Sequence, residues 1–282
     1  MNNELSDQYQ QYKTISRVIY FIQASAPHKP SLEDIASEVN LAEGHLQRIF
    51  KAWAGLSLEQ FLQFFSKEHA LRALDQSREL LNITRNTRLS NVGQLQRLMI
   101  NYEAMIPEKI KAYGKELTIG FGIAKTPFGD GLFGWTTDGL CYLAFCDNDH
   151  QEKERELAAQ WLEATLVRDN GQAASMSSQI FTSTLKRKKL NLVLRGSDFQ
   201  LKVWEALLKI PPSQLVSYSQ LAGMAGSPKA QRAVGSALAA NTIGFLIPCH
   251  RVIRGNGELG HYRWGKVRKQ SMQIWDSGQF SA

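Results

Sequence analysis

Residues 217–240 read Ser-Tyr-Ser-Gln-Leu-Ala-Gly-Met-Ala-Gly-Ser-Pro-Lys-Ala-Gln-Arg-Ala-Val-Gly-Ser-Ala-Leu-Ala-Ala. This stretch predicts two short helices, 217–224 and 229–240, which a Gly-Ser-Pro turn joins into a helix-turn-helix. Small residues line the second helix, among them Ala230 and Ser236. Small side chains let a helix approach a nucleic-acid backbone closely, and tight packing between helices explains them equally well.

The flanking segments extend this unit in both directions. Ser197-Asp-Phe-Gln200 is a capping box that predicts the start of a helix running to Lys209. After the helix-turn-helix, Gly255-Asn-Gly257 can turn a hairpin whose return arm is 260–266. A helix-turn-helix followed by a hairpin is a winged helix, so the sequence predicts a winged-helix domain over residues 191–282.

Residues 247–252, Ile-Pro-Cys-His-Arg-Val, contain the strongest candidate for chemistry. A histidine follows Cys249 in a basic segment, and both features lower the pKa of a thiol and make it nucleophilic. A buried structural cysteine is the alternative, since free cysteines are among the most buried residues. Cys141 and Cys146 are expected to pack in a strand. Three cysteines without a CxxC pair support neither a disulfide framework nor a four-cysteine zinc site, so no metal is expected.

The charge of the chain is unevenly distributed. Residues 186–282 contain 15 basic and 4 acidic side chains, a net charge of +11, whereas residues 1–185 contain 18 basic and 22 acidic ones, a net charge of −4. A basic lobe beside an acidic one indicates a polyanionic partner, with nucleic acid as the first candidate and a generally basic surface as the alternative. A length of 282 residues suggests two or three domains. The lack of a secretory signal and of a long apolar run predicts a cytoplasmic protein without membrane association.

Residues 13–115 are predicted to be mostly helical. Ser31 is a plausible N-cap for a helix that ends near Val39, and a second amphipathic helix follows over 44–53. The two helices and their short turn form another helix-turn-helix. Small helical hairpins that bind no DNA show the same spacing, so this pattern alone leaves the function open.

Residues 117–185 change periodicity and predict a supporting α/β domain. Short strands with glycine-rich turns come first. A charged amphipathic helix is expected over 152–167, with Trp161 and Leu162 facing inward, and residues 169–178 are expected to form a loop.

Residues 117–282 resemble the O6-alkylguanine-DNA alkyltransferases, also called methylated-DNA–protein-cysteine methyltransferases. Motifs of that family occur here in the family's order and spacing: Phe199-Gln200, Val203-Trp204, Ser217-Tyr218, Gln220-Leu221-Ala222, Ala230-Gln-Arg-Ala-Val-Gly235, Asn241, Ile247-Pro-Cys-His-Arg-Val252 and Gly260-His-Tyr-Arg-Trp-Gly265. The resemblance implies a small RNase H-like α/β domain over 117–185 and a catalytic winged-helix domain over 191–282. It also implies a protein that repairs double-stranded DNA, acts once and needs no cofactor. A chain that acts once on one base needs no dimer, so a monomer is expected.

The resemblance implies a role for the residues of these motifs. Cys249 would attack the alkyl carbon of a flipped O6-alkylguanine, and of O4-methylthymine, after His250 takes the thiol proton through a water. Tyr218 would crowd the phosphate and donate toward the leaving oxygen, and Asn241 would brace the turn before the active site. The residues expected to contact DNA are Tyr218, Arg232, Arg251, Arg263, Ala230 and Ser236, with Arg232 filling the emptied base stack and Arg263 bordering the pocket.

One position departs from the family pattern. The family has a glutamate 27 residues after the cysteine, where it orients the histidine, and this chain has Asp276 there, one methylene shorter. Either the helix that carries Asp276 lies slightly further inward or the relay is weaker. A surface aspartate near the end of the chain is the alternative.

The helical segment in front has a resemblance of its own. Residues 31–65 resemble the first half of an AraC-type DNA-binding domain, and 89–98 would be the second recognition helix of a degenerate second half, so that 1–115 forms an all-α helix-turn-helix domain. Ala42 stands where the first recognition helix usually has a capping serine. The residues that would face the major groove are Glu43, His45, Gln47 and Arg48, and promoter DNA and RNA polymerase would be partners.

Three functions remain in competition. The complete order of segments resembles the Ada type of the alkyltransferase family without that type's N-terminal zinc domain, and it favours single-use DNA dealkylation with a role in transcription. A non-enzymatic regulator that binds alkylated DNA is the alternative, but such relatives lack the cysteine that Cys249 supplies. A cysteine hydrolase is disfavoured because the sequence contains neither a second histidine in a suitable pattern nor an oxyanion motif.

Overall fold

The computed structural model describes residues 3–25, 28, 30–66, 69–77, 98–104, 117–147, 149–182 and 188–280. Over these residues the chain has a mixed α/β fold with a helical N-terminal region. None of the helices in the described ranges has the length and apolar character that a membrane crossing requires.

The N-terminal region consists of helices α1 (Asn3–Ala24), α2 (Leu32–Val39), α3 (Glu43–Ala54), α4 (Leu58–Gln63) and α5 (69–77). The predicted N-cap is confirmed, because the Ser31 hydroxyl accepts from the Asp34 amide while the Asp34 carboxylate accepts from the Ser31 amide. Asn40 ends α2 in the left-handed conformation, with φ of 57°. Ala42 gives α3 no side-chain cap, as its sequence implies. The predicted helix pair is therefore present.

A six-stranded sheet lies next to this region. Its strands are β1 (Leu98–Ala104), β2 (Thr118–Thr126), β3 (Gly129–Trp135), β4 (Leu140–Phe145), β5 (Thr165–Arg168) and β6 (Lys188–Leu194), in the order β1-β6-β4-β3-β2-β5. The β2–β3 and β3–β4 pairs are antiparallel, and the other pairs are parallel. The sheet takes strands from both sides of the predicted 117–185 unit, because β1 and β6 lie outside that range.

The prediction of a helical chain up to residue 115 is wrong at β1. Residues 98–104 form a strand that pairs in parallel with β6, from Leu98 opposite Lys188 to Ala104 opposite Leu194. Leu98 was expected to end the second recognition helix, and residues 89–97 of that helix lie outside the described residues. A short apolar run cannot be assigned to helix or strand by periodicity alone, and here pairing with β6 decides.

Two predictions in the α/β region are also wrong. Helix α6 (His150–Gln160) stops seven residues before the expected end, and residues 165–168 pair with β2 instead. Leu162 is therefore in the connecting turn and 70 % exposed, whereas Trp161 is buried as predicted. The expected loop over 169–178 is helix α7 (Asn170–Phe181), which Asp169 caps. The loop was predicted because the segment is rich in small residues, but these residues allow the helix to pack closely on β2.

The C-terminal lobe contains α8 (Asp198–Leu208), α9 (Tyr218–Met224), α10 (Gln231–Ala239) and α11 (Lys266–Phe280), with the short strands β7 (Val216–Ser217) and β8 (Val252–Ile253). The Ser197 capping box and the helix-turn-helix of α9 and α10 are confirmed. The predicted hairpin is wrong. The Arg254 amide does close a turn on the Glu258 carbonyl, at 2.7 Å, but β8 pairs in parallel with β7 and the return arm forms no strand.

One continuous core joins the N-terminal helices to the rest of the protein. The ring of Phe128 packs against Tyr12 and Trp53 from the helices and against Trp275 from α11, with centroid separations of 6.3, 6.1 and 5.7 Å. The Trp53 indole N–H donates to the Pro127 carbonyl at 3.1 Å, in a fully buried position. Large aromatic side chains dominate the energetics of a core, so this cluster stabilises the contact between the two regions.

The helices α3 and α11 also touch through their backbones. A Cβ atom added at Gly278 would overlap the Ala54 carbonyl oxygen. No side chain fits between the two backbones, so the close approach of the two helices requires glycine at position 278.

We expect Gly278→Ala to lower the free energy of unfolding by about 1–3 kcal/mol, because overpacking forces the two backbones apart. Urea unfolding followed by tryptophan fluorescence measures the change. Gly44→Ala is the matched control, since a Cβ at Gly44 meets nothing within 4 Å and alanine favours the helix. Equal stability of the two variants would contradict the proposed backbone contact.

Candidate active site

Cys249 lies in a single 3₁₀ turn (Cys249–Arg251) that follows α10 and precedes β8. Its side chain is buried, and the Asn241 amide donates to its Sγ atom at 3.2 Å. Asn241 also donates to the Ile247 carbonyl and accepts from the Ile243 amide. The asparagine therefore braces the loop, as the resemblance implies, and in addition touches the sulfur directly.

The environment of Cys249 keeps its thiol protonated. Burial raises the pKa of Cys249, and this effect outweighs the Asn241 hydrogen bond and the nearby Lys269 ammonium, which both lower it. The sequence predicted that the adjacent histidine would lower this pKa. Instead, the His250 ring is hydrogen-bonded to Asp276, so a thiolate has to be generated during the reaction.

His250, Asp276 and Arg251 form a buried charged cluster behind the cysteine. Asp276 Oδ2 lies 3.1 Å from His250 Nε2 and accepts from Arg251 Nε at 2.6 Å. Asp276 is buried, so the surface-aspartate alternative is wrong. Burial alone would raise the pKa of Asp276, but the Arg251 charge and the His250 contact lower it to about 2.

The Asp276 carboxylate decides the tautomer of His250. A carboxylate only accepts hydrogen bonds, so Nε2 has to carry the imidazole proton and Nδ1 keeps its lone pair. His250 Nδ1 is buried and has no hydrogen-bond partner among the described residues. Burial lowers the pKa of His250 despite the Asp276 contact, which keeps the ring neutral and able to act as a base.

Arg251 does not occupy the position expected of a DNA contact. Its guanidinium is buried and donates to Asp276 and to the Ile210 carbonyl, the latter at 2.6 Å. The prediction that Arg251 touches DNA is therefore corrected, because both contacts point into the protein. Arg251 instead holds Asp276 in place beside the histidine.

A cavity of about 390 Å³ opens in front of Cys249. Its lining is Tyr218, Arg232, Gly235, Ser236, Leu238, Ala239, Cys249, His261, Tyr262 and Arg263. The cavity thus brings Cys249 together with four of the residues predicted to contact DNA, namely Tyr218, Arg232, Ser236 and Arg263. Ala230 lies at the N-terminal cap of α10 and does not line the cavity.

Arg263 is held by two partners at the rim of the cavity. It donates to the Ala239 carbonyl at 3.1 Å and to Glu156 at 2.9 Å. Glu156 belongs to α6, so the α/β region fixes a wall of the site. Sequence reasoning missed this carboxylate, because the two residues are 107 positions apart.

Sequence reasoning also missed Lys269 and Tyr262. Lys269 is buried, and burial lowers its pKa to about 8. Its ammonium donates to the Leu259 carbonyl and lies 5.9 Å from the centre of the Tyr262 ring. Helical spacing could have identified Lys269 from the sequence. It precedes Asp276 by two helical turns on α11, which places both residues on the face toward the cysteine.

The predicted residues of α3 form a separate surface. Glu43, His45, Gln47 and Arg48 are all exposed, and an Arg48 guanidinium nitrogen lies 3.3 Å from His45 Nδ1. None of the four lines the Cys249 cavity. No group of three histidine, cysteine, aspartate or glutamate side chains suited to a metal ion occurs within the described ranges.

The chain is similar to known DNA-repair proteins. Residues 198–277 match the family described as 6-O-methylguanine DNA methyltransferase, DNA binding domain. The chain is 32 % identical over 249 residues to the bifunctional transcriptional activator/DNA repair enzyme Ada of Escherichia coli, covering 86 % of this chain and 69 % of that protein. It is 36 % identical over 146 residues to the methylated-DNA–protein-cysteine methyltransferase of Methanosarcina barkeri, covering 51 % of this chain and 89 % of that one.

Among solved structures, the crystal structure of Mycobacterium tuberculosis OGT in complex with DNA is 28 % identical, with a TM-score of 0.45, and covers 57 % of this chain and 92 % of that one. The match to E. coli Ada covers more of this chain, 86 %, and therefore includes parts of the helical region, the sheet and the C-terminal lobe. The chain therefore belongs to the Ada-related family of methylated-DNA–protein-cysteine methyltransferases.

Proposed function

We propose that this protein repairs double-stranded DNA by moving the alkyl group of O6-alkylguanine, and of O4-methylthymine, irreversibly to Cys249. The observation that carries the proposal is a buried cysteine at the base of a cavity, with a histidine–aspartate pair behind it. The family membership supports the same reaction. The proposal includes an AraC-type helical unit, an RNase H-like α/β unit and a helix-turn-helix catalytic lobe. The strands 98–104 and 188–194 belong to the sheet, so the α/β unit extends beyond the predicted bounds of 117–185.

The target base has to leave the duplex to reach the sulfur. An O6-alkyl group is inaccessible inside stacked DNA, so the nucleotide rotates out of the helix into the cavity. Tyr218 and Arg232 line this cavity, and Arg232 is exposed on α10. In the proposal, Arg232 enters the gap in the base stack, and Tyr218 presses against the phosphate and stabilises the rotated nucleotide.

The chemical step begins with loss of the thiol proton. His250 Nδ1 takes the proton of Cys249 through a water, and the Asp276 carboxylate stabilises the imidazolium that forms. The thiolate attacks the alkyl carbon, so the S–C bond forms while the C–O6 bond breaks. The bonding electrons pass to the purine oxygen, which Tyr218 supports by donating a hydrogen bond.

The reaction ends with one thioether per protein. A thioether is a poor leaving group, so the proposed protein acts once and requires no cofactor. The buried Lys269 ammonium stabilises the thiolate during the step, since opposite charges interact strongly away from water.

We expect incubation with a duplex containing O6-methylguanine to add one CH2 unit to the tryptic peptide 233–251, up to one equivalent per protein. Mass spectrometry of the digest measures it, with Cys249→Ser as the control that gains nothing. Tight binding to the lesion without any gain in mass would instead support a damage-binding regulator.

We expect Asp276→Asn to reduce the single-turnover rate constant at saturating DNA by at least roughly 100-fold, because the histidine loses the carboxylate that orients it. Rapid-quench measurements test this. Asp147→Asn is the matched control: Asp147 is an exposed carboxylate that pairs with Arg268 and does not line the Cys249 cavity, so its loss leaves the rate near wild type. A rate loss shared by both variants would contradict the role of Asp276.

The same Asp276→Asn variant should also change the pH dependence of stability. The folded pKa of about 2 lies below the ordinary carboxyl value. The contribution of Asp276 is therefore complete above roughly pH 4 and is lost as the pH falls toward 2. Urea unfolding between these limits should show the difference in free energy of unfolding between wild type and variant shrinking with acid; a constant difference would refute a charged Asp276.

The exposed face of α3 supports a second role in DNA binding. We expect Gln47→Ala and Arg48→Ala to change the sequences that the protein selects from a random pool of duplexes, because polar side chains on a recognition helix read base edges. Gln63→Ala, an exposed glutamine on α4, is the matched control. If all three variants select the same DNA sequences as the wild-type protein, α3 does not read the sequence. Methyl transfer by each variant is measured in a separate assay.

A further inference from the structure

Glu156 does not line the Cys249 cavity, but its partners fix it beside one wall of that cavity. It belongs to α6. Its Oε1 accepts from the Lys153 ammonium at 2.6 Å, and its Oε2 accepts from the Tyr142 hydroxyl at 3.2 Å and from Arg263 at 2.9 Å. Both carboxylate oxygens are occupied, so the side chain is held in one position.

The fixed carboxylate of Glu156 carries a negative charge. Burial alone would raise the pKa of Glu156, but the hydrogen bonds from Lys153 and Arg263 lower it. An isolated pair of exposed charges contributes little, whereas a network of several groups holds its members in defined positions. Tyr142 is buried in β4 and anchors this network to the sheet. Glu156 is thus a rigid anion that the α/β region presents to the C-terminal lobe.

Arg263 is the residue through which Glu156 reaches the cavity. Its guanidinium donates to Glu156 and, at 3.1 Å, to the carbonyl of Ala239 at the end of α10. A guanidinium has five N–H groups, so these two bonds leave others for a ligand. A free arginine side chain loses rotamer freedom when it binds, whereas an arginine that is already fixed loses little. Glu156 therefore lowers the entropic cost of any contact that Arg263 makes with DNA.

The charge of the cavity favours a phosphate at Arg263. Among the described residues that line it, Arg232 and Arg263 carry a fixed positive charge and none is acidic. Arginine suits phosphate because its planar N–H groups match the phosphate oxygens. A nucleotide that rotates out of the duplex brings its flanking phosphates toward the cavity, whereas a stacked nucleotide keeps them in line with the duplex. A phosphate contact at the rim is therefore made mainly by the rotated nucleotide.

We propose that Glu156 is a positioning residue for lesion recognition, which fixes Arg263 where it binds a phosphate beside the rotated nucleotide. The proposal rests on the proposed function, because rotation of one nucleotide out of the duplex brings this phosphate to the cavity. A contact made by the rotated nucleotide favours damaged DNA, since a damaged base leaves the stack at lower cost. The α/β region thereby takes part in distinguishing damaged from intact DNA and is more than a support for the C-terminal lobe.

The test measures the dissociation constants of the full-length Cys249→Ser protein for two duplexes that differ in one base, O6-methylguanine or guanine. Fluorescence anisotropy gives both constants, and their ratio is the discrimination between damaged and intact DNA. Glu156→Gln removes the charge that holds Arg263 and keeps the size of the side chain. We expect the discrimination to fall roughly fivefold, because the arginine then has to be ordered during binding.

The direction of the change separates this role from a general effect of charge. Removal of an acid reduces repulsion of the DNA phosphates, which strengthens binding to both duplexes and leaves the discrimination unchanged. Glu154→Gln is the matched control, because Glu154 lies on the same helix, pairs with Arg168 at 2.6 Å and does not line the cavity. Its side chain is 24 % exposed, close to the 28 % of Glu156. The proposal is overturned if Glu156→Gln behaves like this control.

A double-mutant cycle tests whether Glu156 acts through Arg263. Arg263→Ala should reduce the discrimination at least as much as Glu156→Gln, and the two substitutions together should reduce it no further than Arg263→Ala alone. Arg263→Ala should also reduce the slope of log affinity against log salt by about 0.9 for the damaged duplex, because one phosphate contact is lost. An equal effect of Glu156→Gln with and without Arg263, or an unchanged slope, would refute the proposal.

Methyl transfer by the protein with Cys249 intact is measured in a separate assay, so the two proposals can fail independently. If the wild-type protein transfers no methyl group but Glu156→Gln lowers the discrimination, the proposed reaction is refuted and the positioning role in lesion binding stands. If methyl transfer is normal and Glu156→Gln leaves the discrimination unchanged, the repair reaction stands and the role of Glu156 is refuted.

Discussion

The buried carboxylate of Asp276 is the interaction on which the site depends. It accepts from Arg251 and His250, which belong to the cysteine turn, while Asp276 itself belongs to α11. Taking a charge out of water is costly, and removing one partner of a buried ion pair destabilises a protein by about 3–5 kcal/mol. The position of α11 is thereby tied to the active site. Asp276 reaches both His250 and Arg251 through Oδ2, while its Oδ1 has no hydrogen-bond partner among the described residues.

Much of the C-terminal lobe could be predicted because its signals are local. The Ser197 capping box involves residues three apart, and the helix-turn-helix of 217–240 follows from helical spacing and a Gly-Ser-Pro turn. Interactions of this kind are set by neighbours in the chain, so they survive in any fold that contains the helix. The cysteine and its histidine were recognisable for the same reason.

The errors share a physical cause, which is dependence on distant partners. The strand 98–104 exists because residues 188–194 pair with it, and nothing within its own seven residues distinguishes a strand from a helix. Arg251 was expected at the DNA surface, yet its partners lie 25 and 41 positions away in Asp276 and Ile210. The contact of Glu156 with Arg263 could not be predicted from the sequence, because the two residues are also far apart in the chain.

The contacts of Phe128 constrain any shorter form of the protein. A protein reduced to the segment from residue 117 onward would present to water the face of Phe128 that Tyr12 and Trp53 cover, together with the bare backbone beside Gly278. Deletion of the helices would therefore leave a protein with an exposed apolar patch that favours aggregation. A C-terminal part without the helices would need polar side chains on the face that the helices now cover.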